Sequence, residues 1–265
     1  MTTAAGATAH QRPRVLVVLH DVDDNLGEIA PPLAEAGLQL EVWDVERDPG
    51  AAPSVDAVLD YAGIVSLGAY AGVLDEADHA WMPHEKALMA AALEHEVPVL
   101  GLCFGSQLLA AAAGAAFMPS PRPEFGWTRA RLTRAAADDP VLAPLARHGA
   151  QRGDNEVDVF HYHSDSHELP EGAVLLAETD GIIEAYRLGS CAWGLQFHLE
   201  VGLATQLAWI AGAERAFATA GVDRDEQRER SHENWRDYRS LAHELGAAFA
   251  QHVLSRASRS AALGA

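Results

Sequence analysis

The chain has 265 residues, 49% of them hydrophobic, which is enough for one large core or for one domain with a small appendage. Its 38 acidic against 19 basic side chains give a formal charge of −19, and such a surface repels phosphate backbones and anionic membranes, so neither nucleic acid nor membrane is expected as a partner. No apolar run is long enough to span a bilayer, the first dozen residues lack the charged start and apolar middle of a signal peptide, and two cysteines make no disulfide framework; a cytoplasmic protein is expected.

Residues 1–13 read as a frayed tail. Arg14 to His20 (RVLVVLH) is a strand, the helix after it ends over Leu33 to Gly37, and Leu38 to Val45 (LQLEVWDV) is a second strand. AGIVSLGAYAG is a third, running into a glycine-rich loop; Trp81 to Glu96 is a helix and Val99 to Leu102 the fourth strand. This alternation predicts an α/β protein with an open, mostly parallel twisted sheet and helices on both faces. After Gly114 come short strand patterns, WTRARLT, EVDVFHYH, AVLLAET, IIEAYRL and CAWGLQFH, expected to add antiparallel strands or a second layer. From Gly202 the chain is helical. A main domain over 14–213 and a helical C-terminal extension over 214–265, packed on the same domain, are expected. Lys86, the only lysine, falls on a solvated helix face and is discounted for Schiff-base chemistry; Trp209, Trp235 and Tyr238 read as packing anchors.

Val99 to Leu109, VLGLCFGSQLL, places Cys103 between a buried-strand run and a stretch of helix formers closed by Gly114. Buried cysteines usually behave as small hydrophobes. Gly101 and Gly105, however, let the backbone make a sharp strand-to-helix corner, the nucleophile-elbow pattern with cysteine in place of serine. A helix N-terminus at that corner favours thiolate. A second strand end, GLQFHLE, carries His198 and Glu200, which alternation puts on one side of an extended chain. A carboxylate so placed can accept the imidazole N–H and aim the other ring nitrogen at a thiol.

GLCFGSQLL together with GLQFHLE resembles the class I (triad) glutamine amidotransferases, and among them the stand-alone branch labelled GMP synthase-like. LGAYAGVLDE resembles that family's oxyanion loop, PEFGWTRARLT its Glu-x-Gly-Trp strand, and HYHSDSHELPEGAVLLAET its His-Ser/Gly-Asp segment, a likeness that extends over about Arg14 to Ala213. The resemblance implies a cysteine-dependent amidase: Cys103 attacks a γ-glutamyl carbonyl and forms a thioester, His198 moves the proton, and Glu200 orients His198. It also implies that the N–H groups of Phe104 and of Gly68 or its neighbour hold the oxyanion, that Gln107 lines the glutamyl pocket, and that His163, Ser164 and Asp165 meet the α-amino and α-carboxylate groups. No cofactor is expected.

Three departures stand out. Leu67-Gly68-Ala69 replaces the family's Gly-Gly-Pro. His198-Leu199-Glu200 replaces His-Pro-Glu, which is expected to loosen the turn. Glu184-Ala185-Tyr186 replaces Gln-Ala-Phe, which would alter specificity if that strand approaches the substrate, and the loops around Tyr70, Phe125 and Tyr186 are expected to face the leaving-group half of the substrate. His161, His163, Asp165 and His167 alternate as metal ligands can, but the run is expected to cross from strand to loop and the resemblance already accounts for His163 and Asp165, so no metal is expected. An α/β-hydrolase would share the elbow yet place its acid between nucleophile and histidine. Three readings remain: a stand-alone hydrolase of glutamine or a γ-glutamyl amine, an ammonia-supplying subunit for a separate synthetase chain, and a non-catalytic binding protein on the same fold.

Overall fold

The computed structural model describes residues 12–263; of the tail expected over 1–13, residues 1–11 lie outside them. Nine strands form one sheet: β1 (Arg14–Leu19), β2 (Gln39–Asp44), β3 (Gly63–Ser66), β4 (Val99–Leu102), β5 (Phe117–Leu132), β6 (Glu156–His167), β7 (Val174–Thr179), β8 (Ile182–Leu188) and β9 (Ala192–Leu195). The order is β2-β1-β3-β4-β9-β8-β7-β5-β6. The first five in that order are parallel, and β8, β7, β5 and β6 continue the same sheet antiparallel. The second half of the chain therefore widens the sheet and builds no second one.

Strand periodicity sorts the core. In β1, Val15 and Val17 point into one apolar cluster while Leu16 and Val18 point into another, and β3 and β4 divide in the same way. Both faces must then be covered by helices. On one side lie α2 (Met82–Glu94) and α3 (Phe104–Ala112), which bury Met82, Leu88, Met89, Leu108 and Leu109. On the other lie α1 (Ala30–Glu35), α6 (Leu203–Gly212) and α8 (Arg224–Leu263). Tyr238, Leu241, Leu245, Phe249 and Val253 of α8 belong to the same core as β1 and β4. The remaining helices, α4 (Arg134–Ala137), α5 (Ala143–Arg152) and α7 (Glu214–Ala220), flank the antiparallel half. No helix among the described residues is long and apolar enough to cross a membrane.

Two findings differ from the sequence-based expectations. HYHSDSH does not leave the sheet, because β6 pairs with β5 as far as Phe117↔His167, on both sides of a register break between Pro119 and Glu124. Tyr186 is not on a substrate-facing loop. It is 1% exposed, and its hydroxyl donates to the Ser106 carbonyl at 2.6 Å beneath α3.

Candidate active site

Adjacent parallel strands bring their C-terminal ends to one edge, where ligands bind in open α/β sheets. Strands β4 and β9 are such neighbours, with Leu102 opposite Leu195 and the Cys103 N–H donating to the Leu195 carbonyl at 2.8 Å. The residues just past the two strands, Cys103 after β4 and the segment to Glu200 after β9, therefore meet in space. Cys103 has φ 48° and ψ −109°, a left-handed backbone that costs a non-glycine residue about 1–3 kcal/mol and is held by its surroundings. The flanking glycines allow the corner by close approach: a Cβ at Gly101 would strike the Gly105 carbonyl, and one at Gly105 would strike the Ser66 carbonyl. Phe104 opens α3, so its N–H has no carbonyl partner within the helix.

His198 is buried, its own N–H donating to the Phe160 carbonyl at 2.8 Å. Nδ1–H donates to Glu200 Oε1 at 2.6 Å, which leaves Nε2 for the thiol side. Burial favours the neutral ring, yet the Glu200 carboxylate and the adjacent Cys103 sulfur lift the His198 pKa well above its ordinary value. The His-Leu-Glu turn is not loosened: the Leu199 N–H donates to Glu200 Oε2 at 2.9 Å, a bond that proline at this position could not make. Glu200 is thus held through both oxygens.

Cys103 lines two spaces that share Ala69, Tyr70 and Tyr162. A cavity of about 240 Å³ is lined by Gln107, Phe125, Tyr162, His163, Ser164 and Asp165, so the structure brings Gln107 and the whole 163–165 segment to the thiol. Tyr70 also lines it and is 61% exposed, the outer edge of an apolar rim. A smaller pocket on the His198 side is bounded by Asp21, Asp24, Tyr70 and Trp209. Trp209 is accordingly more than a packing anchor: its ring lies 5.1 Å from that of His198 and its Nε1–H donates to Asp23 Oδ2 at 3.1 Å. Glu184, by contrast, is fully buried and lines neither space.

Three further residues complete the surroundings. Gln196 Nε2 approaches Cys103 Sγ at 3.8 Å, and its Oε1 accepts from Gln107 Nε2 at 3.1 Å; the alternation that pairs His198 with Glu200 also extends back to it. His20, at the tip of β1, bonds the Gly68 carbonyl through Nδ1 at 3.1 Å and Glu85 Oε2 through Nε2 at 2.7 Å. Both partners are acceptors, so this ring is held in the doubly protonated form. Burial opposes that, but Glu85 prevails and the His20 pKa is raised. His20 thereby fixes the Gly68 carbonyl. The third is Asp24, whose Oδ2 lies where a Cβ at Gly68 would sit, so any other residue there would have to displace this carboxylate.

Burial, together with the nearby Glu200 charge and despite His198, pushes the Asp24 pKa up to about 7. The folded state then binds a proton that the unfolded chain has lost above pH 3.8. Asp24's contribution to stability is full below that pH and is lost as pH rises through about 7. Asp24→Asn removes this titration. Its urea midpoint should fall less between pH 5 and pH 8 than that of the unsubstituted protein; identical pH profiles would show that Asp24 ionises freely.

A thiol, an imidazole and a carboxylate thus meet at the ends of β4 and β9 of an open α/β sheet. The model of the family Glutamine amidotransferase class-I matches residues 20–211, and the chain belongs to that family, in its GMP synthase-like branch. It is 36% identical over 108 residues to the glutamine-hydrolyzing GMP synthase of Marinobacter nauticus, covering 40% of this chain and 20% of that one. It is 30% identical over 137 residues to the glutamine amidotransferase-like protein YfeJ of Salmonella typhimurium, covering 51% of this chain and 54% of that one. The chain thus spans between a fifth and about half the length of these relatives. Among solved structures, a glutamine amidotransferase from Thermotoga maritima shares the fold with TM-score 0.74 at 24% identity, over 91% of this chain and 99% of that one.

Proposed function

We propose that this chain is a cysteine-dependent amidase that cleaves the γ-glutamyl C–N bond of glutamine or of a γ-glutamyl amine through a thioester. The observation that carries this is the 2.6 Å His198–Glu200 hydrogen bond, with His198 lining the same small pocket as Cys103. Cys103 Sγ forms a bond to the γ-carbonyl carbon while its proton passes to His198 Nε2. The carbonyl oxygen becomes an oxyanion facing the N–H groups of Phe104 and of the Gly68 loop. The C–N bond then breaks as His198 returns the proton to the leaving nitrogen. Water, deprotonated by the same ring, cleaves the thioester and releases glutamate and the free thiol. Gln107, Ser164 and Asp165, with the backbone of His163, offer the polar groups for the amino-acid end of the glutamyl unit.

The rim of Tyr70, Phe125 and Tyr162 supports a leaving amine larger than ammonia. Some γ-glutamyl alkylamide, anilide or dipeptide should therefore be cleaved with a higher kcat/KM than glutamine. A panel of such amides assayed for glutamate release tests this, and turnover of glutamine alone would replace it. Ammonia supply to a separate synthetase is the second reading, supported by the names of the glutamine-hydrolyzing relatives; turnover that begins only when a synthetase chain is added would select it.

A further inference from the structure

Behind His163, between β5, β6 and β8, four buried ionisable side chains face one another. Glu124 is 2% exposed, His163 6%, and His161 and Glu184 0%. His163 Nε2 lies 3.3 Å from Glu124 Oε2 and 3.2 Å from His161 Nδ1, and His161 Nε2 lies 3.6 Å from Glu184 Oε2. None of the catalytic steps above uses Glu124, His161 or Glu184.

With both carboxylates ionised, the hydrogen-bond accounting of this cluster does not close. His163 Nδ1 faces the Asp165 carbonyl at 3.1 Å and must donate to it, which leaves Nε2 of the neutral ring as a lone pair. If His161 donates Nδ1–H to that lone pair, its own Nε2 is a lone pair pointing at a carboxylate. Both oxygens of Glu124, both of Glu184 and His161 Nε2 have no hydrogen-bond partner among the described residues. The cation at the edge, Arg122, stands 3.5 Å from Glu124 and makes its hydrogen bond to Asp180 at 3.1 Å instead. Two ionised carboxylates and two neutral imidazoles, one of whose N–H groups is spent on the Asp165 carbonyl, lack positive charge at their centre.

A divalent ion supplies it. Zinc bonds of about 2.0–2.1 Å to nitrogen and oxygen set donor–donor edges of about 3.3–3.4 Å in a tetrahedron, which is the spacing of His163 Nε2 to its two neighbours. With Nδ1 of His161 as the ligand, its Nε2 carries the proton and points it at Glu184, while His163 keeps its proton on the Asp165 carbonyl. Each ligating imidazole then has the outer acceptor that metal-bound histidines usually have. His163 lines the cavity, so an ion has a way in.

We propose that Glu124, His161 and His163 bind a divalent transition-metal ion, zinc foremost, and that Glu184 holds the Nε2–H of His161. The ion pins the stretch of β6 that lines the cavity, and the site stands independently of the proposed reaction.

The test uses the full chain carrying Cys103→Ala and His198→Ala, so that the thiol–imidazole pair takes up no metal. Chelator-stripped protein is titrated with Zn²⁺ against a chromophoric competitor, and with Co²⁺ followed by absorption. The expected result is one ion per chain at submicromolar affinity, with Co²⁺ ligand-field bands and no thiolate charge transfer. Glu124→Gln and His161→Gln should abolish uptake, and Glu184→Gln should weaken it about 10–100-fold. No stoichiometric uptake, or undiminished uptake in Glu124→Gln, overturns the proposal. Should those two variants fail to fold, the side-chain ¹⁵N shifts of His161 and His163 decide: they move on Zn²⁺ addition if the site exists, and unchanged shifts overturn it.

Discussion

Cys103→Ala is expected to bring amide cleavage down to background, a fall of about 10⁴-fold or more, because the covalent route has no other nucleophile. The fold should survive. Cys103 is a small side chain at the end of β4, and the corner it occupies is held by backbone contacts through Gly101 and Gly105. Cys103→Ser should be similarly inactive, since a hydroxyl is a much weaker nucleophile in a site with a single histidine base. Cys191→Ser should be close to neutral for activity, because Cys191 lies just before β9, at the opposite end of that strand from the candidate site. Glutamate release by the four proteins, with thermal unfolding alongside, is the measurement; near-full turnover in Cys103→Ala would remove the assignment. A diazo-ketone analogue of glutamine should label Cys103 and spare Cys191.

The second large effect belongs to His198. Loss of a positioned base is worth about 10²–10⁴-fold, so His198→Ala should approach background. Glu200→Gln should retain measurable activity. Its amide oxygen can accept from either His198 Nδ1 or the Leu199 N–H, where the carboxylate now accepts both at 2.6 and 2.9 Å. The ring is then less firmly oriented but still present. Because Glu200 helps hold the His198 pKa up, this substitution should also move the histidine limb of the pH–rate profile to lower pH. Parallel kcat/KM profiles of the three proteins test both statements, and unimpaired turnover in His198→Ala would end the triad description.

Much of this was legible along the chain. The apolar strands from Arg14 to Leu102 and from Ala192 to Leu195, the elbow glycines, and the His198-Leu199-Glu200 spacing are local signals, because strand periodicity and a tight corner depend on neighbours a few residues away. The surrounding shell carried less. Trp209 had the look of a core aromatic, Asp24 is one acid in a run of them, and His20 is one of 13 histidines. Their partners, His198, Gly68 and Glu85, come from distant segments. The expectations for Tyr186 and for the HYHSDSH run failed for a related reason. Whether a strand end becomes loop or stays paired depends on its neighbour, and β5 supplied ladder partners as far as His167.

The sequence by itself determined the strand–helix alternation, the strained cysteine corner and the chemical identity of the thiol, imidazole and carboxylate, all set by residues adjacent along the backbone. Only the tertiary structure decided that β4 and β9 lie side by side, which puts Cys103 next to His198. It also decided that Leu199 secures Glu200, that Asp24 is buried against Gly68, and that Glu124 and Glu184 close around two histidines of β6. The physical reason is that strand order and burial are settled by where the whole chain can hide its apolar faces. The charges and hydrogen-bond partners left inside depend on that packing, and no short stretch of sequence records them.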